Sequence, residues 1–101
     1  MKVAVAQISC SLGDADANLL KVRDFSQRAK ELGAELIVFP EMTDTGYSMS
    51  VIQKHAASWT SGFVPGLQEV AKDLSIAIVS GVSERDSSCI YNTQILVDAL
   101  G

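Results

Sequence analysis

A carboxylate that directly follows an apolar run is the strongest candidate for chemistry in this sequence. Residues 36–39 form an unbroken apolar run, and Pro40 and Glu41 follow it at once. Such a run predicts a strand buried on both faces, as in a parallel sheet covered by helices. Ligands of open α/β sheets bind beyond the carboxyl ends of strands. Glu41 is therefore predicted to meet a substrate there, although an ordinary solvated loop glutamate fits its position alone equally well.

The two cysteines and the single histidine carry weaker signals. Cys10 follows the first predicted strand and would share a sheet edge with Glu41, but no neighbour in the sequence would lower the pKa of its thiol. A small, weakly polar residue at a strand exit is the favoured interpretation of Cys10. Cys89 lies in a predicted hairpin, and His55 is predicted to be a surface residue. These residues lack the spacing of a zinc site or a disulfide framework, so we expect neither a metal nor a cofactor.

The residues around Glu41 also match a known motif. Phe39-Pro40-Glu41-Met42 is followed by Thr45-Gly46-Tyr47, and residues 33–38 read Gly-Ala-Glu-Leu-Ile-Val. This stretch resembles the first signature of the nitrilase superfamily of carbon–nitrogen hydrolases. The resemblance covers nearly the whole chain, because it also takes in the first strand, the third strand and the following features: Asn18, Leu19, Gly81 and Tyr91-Asn92-Thr93.

The resemblance implies a fold and roles for individual residues. The fold is α/β, the N-terminal part of a nitrilase-like four-layer α-β-β-α sandwich, with parallel strands and helices followed by an antiparallel hairpin. Glu41 corresponds to the family's general base. Tyr47 corresponds to an aromatic residue that lines the substrate pocket, although a core aromatic with a satisfied hydroxyl fits it equally well. Asn92 is expected to be a structural hydrogen-bonding residue.

The family's mechanism needs two further residues. In that mechanism a cysteine attacks an amide or nitrile, and a lysine stabilises the developing negative charge. Both come from strands beyond the predicted hairpin, and Lys2, Lys54 and Lys72 do not stand in the strand context that the family uses. The resemblance therefore implies that residues 1–101 are the N-terminal portion of a single carbon–nitrogen hydrolase domain, truncated at a hairpin turn and inactive alone.

Two functions remain open at this point. The favoured one is the N-terminal part of a hydrolase that acts on a small amide or nitrile and forms a homo-oligomer at full length. The alternative is a stand-alone, non-catalytic module that binds another protein through an exposed sheet face. Because an isolated half of the sandwich would expose the inner face of its sheet, the chain expressed alone is expected to associate or aggregate.

Hydrophobic periodicity predicts the strands and helices that position these residues. Residues 2–8 predict a first strand, expected to lie centrally in the sheet. Asp14 or Asp16 is expected to cap a helix that ends at Gly33, and Ser50 is expected to cap a short helix. The apolar stripe of the first helix has the three- and four-residue spacing of one helical face, and its members are Leu19, Val22, Phe25, Ala29 and Leu32.

The second half of the chain predicts a helix, a strand and a hairpin. A clean helical stripe runs through Leu67, Val70, Ala71 and Leu74. Residues 75–81 predict a third parallel strand, so the chain starts with β-α-β crossovers, which are nearly always right-handed. Residues 82–88 are polar and turn-rich, and residues 90–100 resume strand character, which favours an antiparallel hairpin over residues 82–100.

Composition limits the class of partner. The chain has 101 residues, of which 48% are hydrophobic and 20% charged, and a net charge of −4. It contains no basic stripe for a nucleic acid backbone and no polybasic patch for a membrane surface. The apolar stretch after Lys2 is too short for a signal peptide or a membrane span. We therefore expect a cytoplasmic protein without a nucleic acid or membrane partner, and the family resemblance implies a small-molecule substrate.

Overall fold

The computed structural model describes residues 1–101 as a four-stranded sheet with helices packed on one of its faces. The strands lie side by side in chain order, the first three parallel and the last antiparallel to the third. This confirms the predicted α/β class, with parallel strands followed by a hairpin. The elements are β1 (Val3–Val5), α1 (Ala15–Glu31), β2 (Leu36–Val38), α2 (Met49–His55), α3 (Phe63–Leu74), β3 (Ala77–Asp86) and β4 (Cys89–Val97).

A capping hydrogen bond sets the start of helix α1, and a glycine sets its end. The Asp14 carboxylate accepts a hydrogen bond from the Ala17 N–H at 3.0 Å, which satisfies a backbone donor of the first turn. The helix ends before Gly33, whose φ of 86° lies in the left-handed region that glycine adopts without strain. Leu32 lies beyond the last helical turn and is 73% exposed, so its assignment to the buried stripe is wrong. None of the three helices is both long and apolar enough to cross a bilayer.

The core lies between the sheet and helices α1 and α3. The strand register aligns Ala4, Ile37, Ile78 and Val97 across the sheet, and the last three of these are buried. They belong to one apolar cluster with residues of both helices. Burying each such side chain contributes roughly 1.5–3 kcal/mol, so this layer holds the sheet against the helices.

The opposite face of the sheet is open. Its aligned residues are Val5, Val38, Val79 and Leu96, and Val5 is 78% and Leu96 68% exposed. Val38 and Val79 between them are partly buried. A contiguous apolar surface of this kind is unusual for a monomeric globular protein. The chain therefore carries one buried and one uncovered apolar face on the same sheet.

Three further sequence-based expectations differ from the structure. Strand β1 lies at the edge of the sheet, not centrally. Strand β3 continues five residues past Gly81 to Asp86, where a polar turn was predicted, because β4 pairs with it over this whole stretch and leaves only Ser87 and Ser88 in the turn. Ser48, not Ser50, precedes α2, and its side chain makes no capping hydrogen bond.

Candidate active site

The turn that carries Glu41 is hydrogen-bonded directly to β3. The Gly81 N–H donates to the Pro40 carbonyl at 3.1 Å, and the Thr43 N–H donates to the Gly81 carbonyl at 3.0 Å. The Thr43 hydroxyl closes the turn by donating to the same Pro40 carbonyl at 2.7 Å. Glu41 therefore lies at the carboxyl end of β2, as predicted, with backbone anchors on both sides of it.

Gly81 makes this close approach possible. A Cβ atom at this position would lie 2.5 Å from the Glu41 Cα, 2.9 Å from the Pro40 carbonyl oxygen and 3.0 Å from the Met42 N. All three are backbone atoms, which cannot rotate away as a flexible side chain can. Any residue other than glycine at position 81 would therefore push the Glu41 turn away from β3.

The same turn contains a buried carboxylate that the sequence did not single out. Asp44 is 5% exposed, and its two oxygens accept from the Ser83 N–H at 3.0 and 3.1 Å. One of them also accepts from the Ser83 hydroxyl at 2.6 Å. The only trace in the sequence is the run of polar residues from Thr43 to Thr45, which the structure buries completely or nearly so. Polar residues after a strand are common in solvated loops, so this signal is weak.

Asn18 joins this turn to the loop after β1. Its side-chain oxygen accepts from the Ser11 N–H at 2.7 Å, and its amide nitrogen donates to the carbonyls of Ser11 at 2.8 Å and Asp44 at 3.0 Å. Asn18 is fully buried on α1. The sequence identified it only as part of the motif resemblance, and the structure gives its physical role: the Asn18 side chain ties two loops together.

The Glu41 side chain itself is exposed and makes no hydrogen bond or ion pair within the chain. Two open clefts meet at it, one of about 460 Å³ and one of about 500 Å³. The first is lined by Ile8, Ser9, Cys10, Pro40, Met42, Gly46 and Tyr47 as well as Glu41. The second is lined by Phe39, Pro40, Gly81, Asn92 and Gln94 as well as Glu41. A carboxylate free of partners on a rigid backbone is available for proton transfer.

Tyr47 and Cys10 share the first cleft with Glu41. Tyr47 is 62% exposed and lies beside the cleft, outside the core of these 101 residues. Burial raises the pKa of the Cys10 thiol; the nearby Lys21 ammonium lowers it and the Asp44 carboxylate raises it further. A raised pKa keeps the thiol protonated and disfavours Cys10 as a nucleophile, in line with the sequence-based interpretation.

The other candidates lie outside the first cleft. Asn92 lines the second cleft, but its side chain makes no hydrogen bond, so the expected structural role is not met. Cys89 and His55 are exposed, and neither lines a cleft with Glu41. No lysine lines either cleft. No group of three or more His, Cys, Asp or Glu side chains is arranged to hold a metal ion.

Family comparison accounts for this combination of a parallel sheet and a free carboxylate at a strand end. Residues 2–101 match the family model of the carbon-nitrogen hydrolases. The match covers almost the whole chain, and the chain therefore belongs to this family.

Individual relatives are nitrilases and amidases. The chain is 32% identical to a nitrilase of Pyrococcus abyssi, over all of this chain and 40% of that protein. It is 33% identical to an aliphatic nitrilase of Rhodococcus rhodochrous, over 99% of this chain and 31% of that protein. The chain thus spans less than half the length of these relatives.

Solved structures confirm the fold. A glutamate-to-glutamine variant of the amidase from Nesterenkonia sp. AN1, with acrylamide added at its active-site cysteine, matches with a TM-score of 0.89 and 26% identity, over 99% of this chain and 40% of that one. Saccharomyces cerevisiae Nit3, a member of the nitrilase superfamily, matches with a TM-score of 0.87 and 30% identity, over 100% of this chain and 41% of that one. The predicted nitrilase-like α/β fold is therefore correct.

Proposed function

We propose that this chain is the N-terminal part of a hydrolase that cleaves the carbon–nitrogen bond of a small amide or nitrile. Glu41 acts as the general base and Tyr47 lines the substrate site. The nucleophilic cysteine and the charge-stabilising lysine come from a segment outside these 101 residues. The complete protein acts in the cytoplasm as a homo-oligomer, without a nucleic acid or membrane partner.

The observation that carries the proposal is the state of the Glu41 side chain. Pro40 before it and Thr43 after it are hydrogen-bonded to β3, while the Glu41 carboxylate is exposed and has no partner in the chain. Exposed glutamates such as Glu35 and Glu69 also lack partners, but only Glu41 combines a free carboxylate with a hydrogen-bonded turn and a place in two clefts. The membership of the carbon–nitrogen hydrolase family supports the same role.

The chemistry assigned to this carboxylate is proton transfer. Glu41 accepts the proton of the cysteine thiol while the sulfur attacks the amide or nitrile carbon, and the lysine stabilises the negative charge that develops there. From an amide, ammonia or an amine then leaves with a proton returned by Glu41, and a thioester remains. From a nitrile, a first water adds to the thioimidate, with Glu41 transferring its proton, before ammonia leaves and the thioester forms. The same carboxylate then takes a proton from water, whose oxygen attacks the thioester and releases the acid and the free thiol.

Glu41→Gln in the full-length protein tests the proposal. Glutamine keeps the size of the side chain but accepts no proton, so turnover of a simple amide is expected to fall by at least the ~10²–10⁴-fold that general-base catalysis supplies. Glu35→Gln is the matched control, because Glu35 is exposed at the opposite end of the same strand. We expect the control to keep its activity in an ammonia-release assay. Near-normal turnover by Glu41→Gln would make Glu41 a bystander.

The uncovered face of the sheet favours a second candidate function, a non-catalytic module that binds another protein there. The exposed Val5 and Leu96 side chains support this alternative. The two functions differ in what the full-length protein does with Glu41. A full-length protein that releases no ammonia from amides or nitriles, yet binds a protein through Val5 and Leu96, would favour the module.

A further inference from the structure

We propose that Asp44 and Ser83 are positioning residues for Glu41: together they fix the turn that carries the base, without touching the substrate. This inference rests on the proposed function of Glu41. Asp44 and Ser83 line a separate cavity of about 110 Å³ that does not include Glu41, and neither lines the two clefts at Glu41. The pair therefore acts through the backbone of the turn.

The N–H groups along β3 explain why an acceptor is needed at position 44. Strand β2 ends at Val38, but β3 continues to Asp86. Several N–H groups of β3 therefore have no partner in β2. The Gly81 N–H donates to the Pro40 carbonyl, and the Arg85 N–H donates to the Ala57 carbonyl. Between them the Ser83 N–H donates to the Asp44 carboxylate. Asp44 thus replaces the carbonyl that a longer β2 would have supplied.

Asp44 places a carboxylate where a neutral acceptor would also satisfy the Ser83 N–H. Its carboxylate is buried, and neither of the two ion pairs in the structure includes it. Burying an unpaired charge is unfavourable unless hydrogen bonds compensate it, and a neutral asparagine oxygen would also accept from the Ser83 N–H. The carboxylate also accepts a short hydrogen bond of 2.6 Å from the Ser83 hydroxyl. Charge-assisted hydrogen bonds of this kind are roughly twice as strong as neutral ones.

The position of this bond links it to Glu41. The turn is anchored to β3 at Gly81 and again, two residues further along the strand, at Ser83. Asn18 holds the Asp44 carbonyl from the other side at 3.0 Å. Loss of the second anchor would let the turn rotate about the first. A displacement of about 1 Å at a catalytic group can cost about 10²-fold in rate.

The test is a set of variants of the full-length protein. Asp44→Ala is expected to lower kcat by about 10- to 100-fold with a smaller change in KM. Glu41 moves, while the Gly13 N–H still donates to the Thr45 carbonyl at 2.8 Å and holds the side of the turn that leads to Tyr47. Ser83→Ala keeps the Ser83 N–H bond and is expected to cause a smaller loss. Asp44→Asn keeps an acceptor for that N–H and is expected to recover part of the kcat lost in Asp44→Ala. Ile76→Val, a buried change outside the turn, controls for general destabilisation.

A double variant separates positioning from a merely structural role. If Asp44 acts through Glu41, then adding Asp44→Ala to Glu41→Gln is expected to cause little further loss of kcat, because the base is already absent. If Asp44→Ala does not fold, Ser83→Ala combined with Glu41→Gln makes the same comparison.

Three results would overturn the inference. One is wild-type kcat in both Asp44→Ala and Ser83→Ala when Glu41→Gln is inactive. Another is a full, additive loss in the double variant. The third is a loss no larger than that of Ile76→Val at equal thermal stability. Near-normal activity of Glu41→Gln alone is a different result, because it removes the proposed function itself.

Discussion

Gly81→Ala is the sharpest test of how the Glu41 turn is held. The change adds a single methyl group at a position where φ is not in the left-handed region, so alanine fits the backbone conformation. Only the lack of space opposes the substitution. The new Cβ atom would lie 2.5 Å from the Glu41 Cα and 2.9 Å from the Pro40 carbonyl oxygen.

The size of the effect follows from these distances. Ordinary van der Waals contact begins at 3.4 Å, so the Glu41 backbone has to move by about 0.9 Å relative to β3. Such overpacking typically costs about 1–3 kcal/mol of stability. A shift of about 1 Å at the base is expected to lower kcat of the full-length protein by about 10²-fold.

Gly66→Ala is the matched control. Its Cβ would also contact a neighbour closely, but that neighbour is the end of the flexible Leu19 side chain, which can rotate away. Gly66 lies inside α3, where alanine is favoured over glycine by about 1 kcal/mol. We therefore expect Gly66→Ala to keep its stability and activity.

Urea denaturation measures the stability of both variants, and amide hydrogen exchange at Thr43 and Gly81 reports the two backbone bonds of the turn. Exchange at these two amides is expected to accelerate in Gly81→Ala and not in Gly66→Ala. Wild-type stability, exchange and kcat in Gly81→Ala would refute the reasoning, because they would mean that the turn does not need the close approach.

Three further predictions concern other parts of the chain. Asp14→Ala is expected to lower the free energy of unfolding by about 1 kcal/mol through loss of the α1 cap, and an unchanged urea midpoint would contradict this. Iodoacetamide is expected to label Cys89 first and Cys10 only at a higher pH than an ordinary cysteine, because burial raises the pKa of the Cys10 thiol and the thiolate is the reactive form. Equal labelling at neutral pH, measured by mass spectrometry, would disprove it. Residues 1–101 expressed alone are expected to associate through the open face around Val5 and Leu96 and to release no ammonia from amides. A monodisperse, active monomer in size-exclusion chromatography and an ammonia assay would be the opposite result.

The elements that the sequence predicted well are those whose pattern reports burial directly. The apolar run at residues 36–39 predicted β2, and the spacing of Val22 and Ala29 predicted the buried side of α1. Glu41 was predicted at a strand end because a proline follows the apolar run. Each of these inferences needs only neighbours in the sequence.

The features that the sequence did not predict depend on partners far along the chain. Residues 83–86 are polar and suggested a turn, but β4 and Asp44 in the loop after β2 supply hydrogen-bond partners for their backbone. Asp44 resembled a solvated loop residue because nothing nearby indicates Ser83. Leu32 continued the apolar spacing of α1, but the helix ends before it and its side chain points to solvent. Periodicity reports which side of an element is buried, not which donor meets which acceptor.

Because the Glu41 turn is attached to β3, the site forms and unfolds together with the sheet. Asp44 and Ser83 are 39 residues apart, with α2 and α3 between them. Contacts of such long sequence separation form only when the intervening chain has closed, and they are lost together when that part of the sheet opens. The geometry around Glu41 is therefore not a property of a local loop. It exists only in molecules whose β2–β3 crossover is intact, so the fraction of molecules with an ordered site follows the fraction in which this sheet is folded.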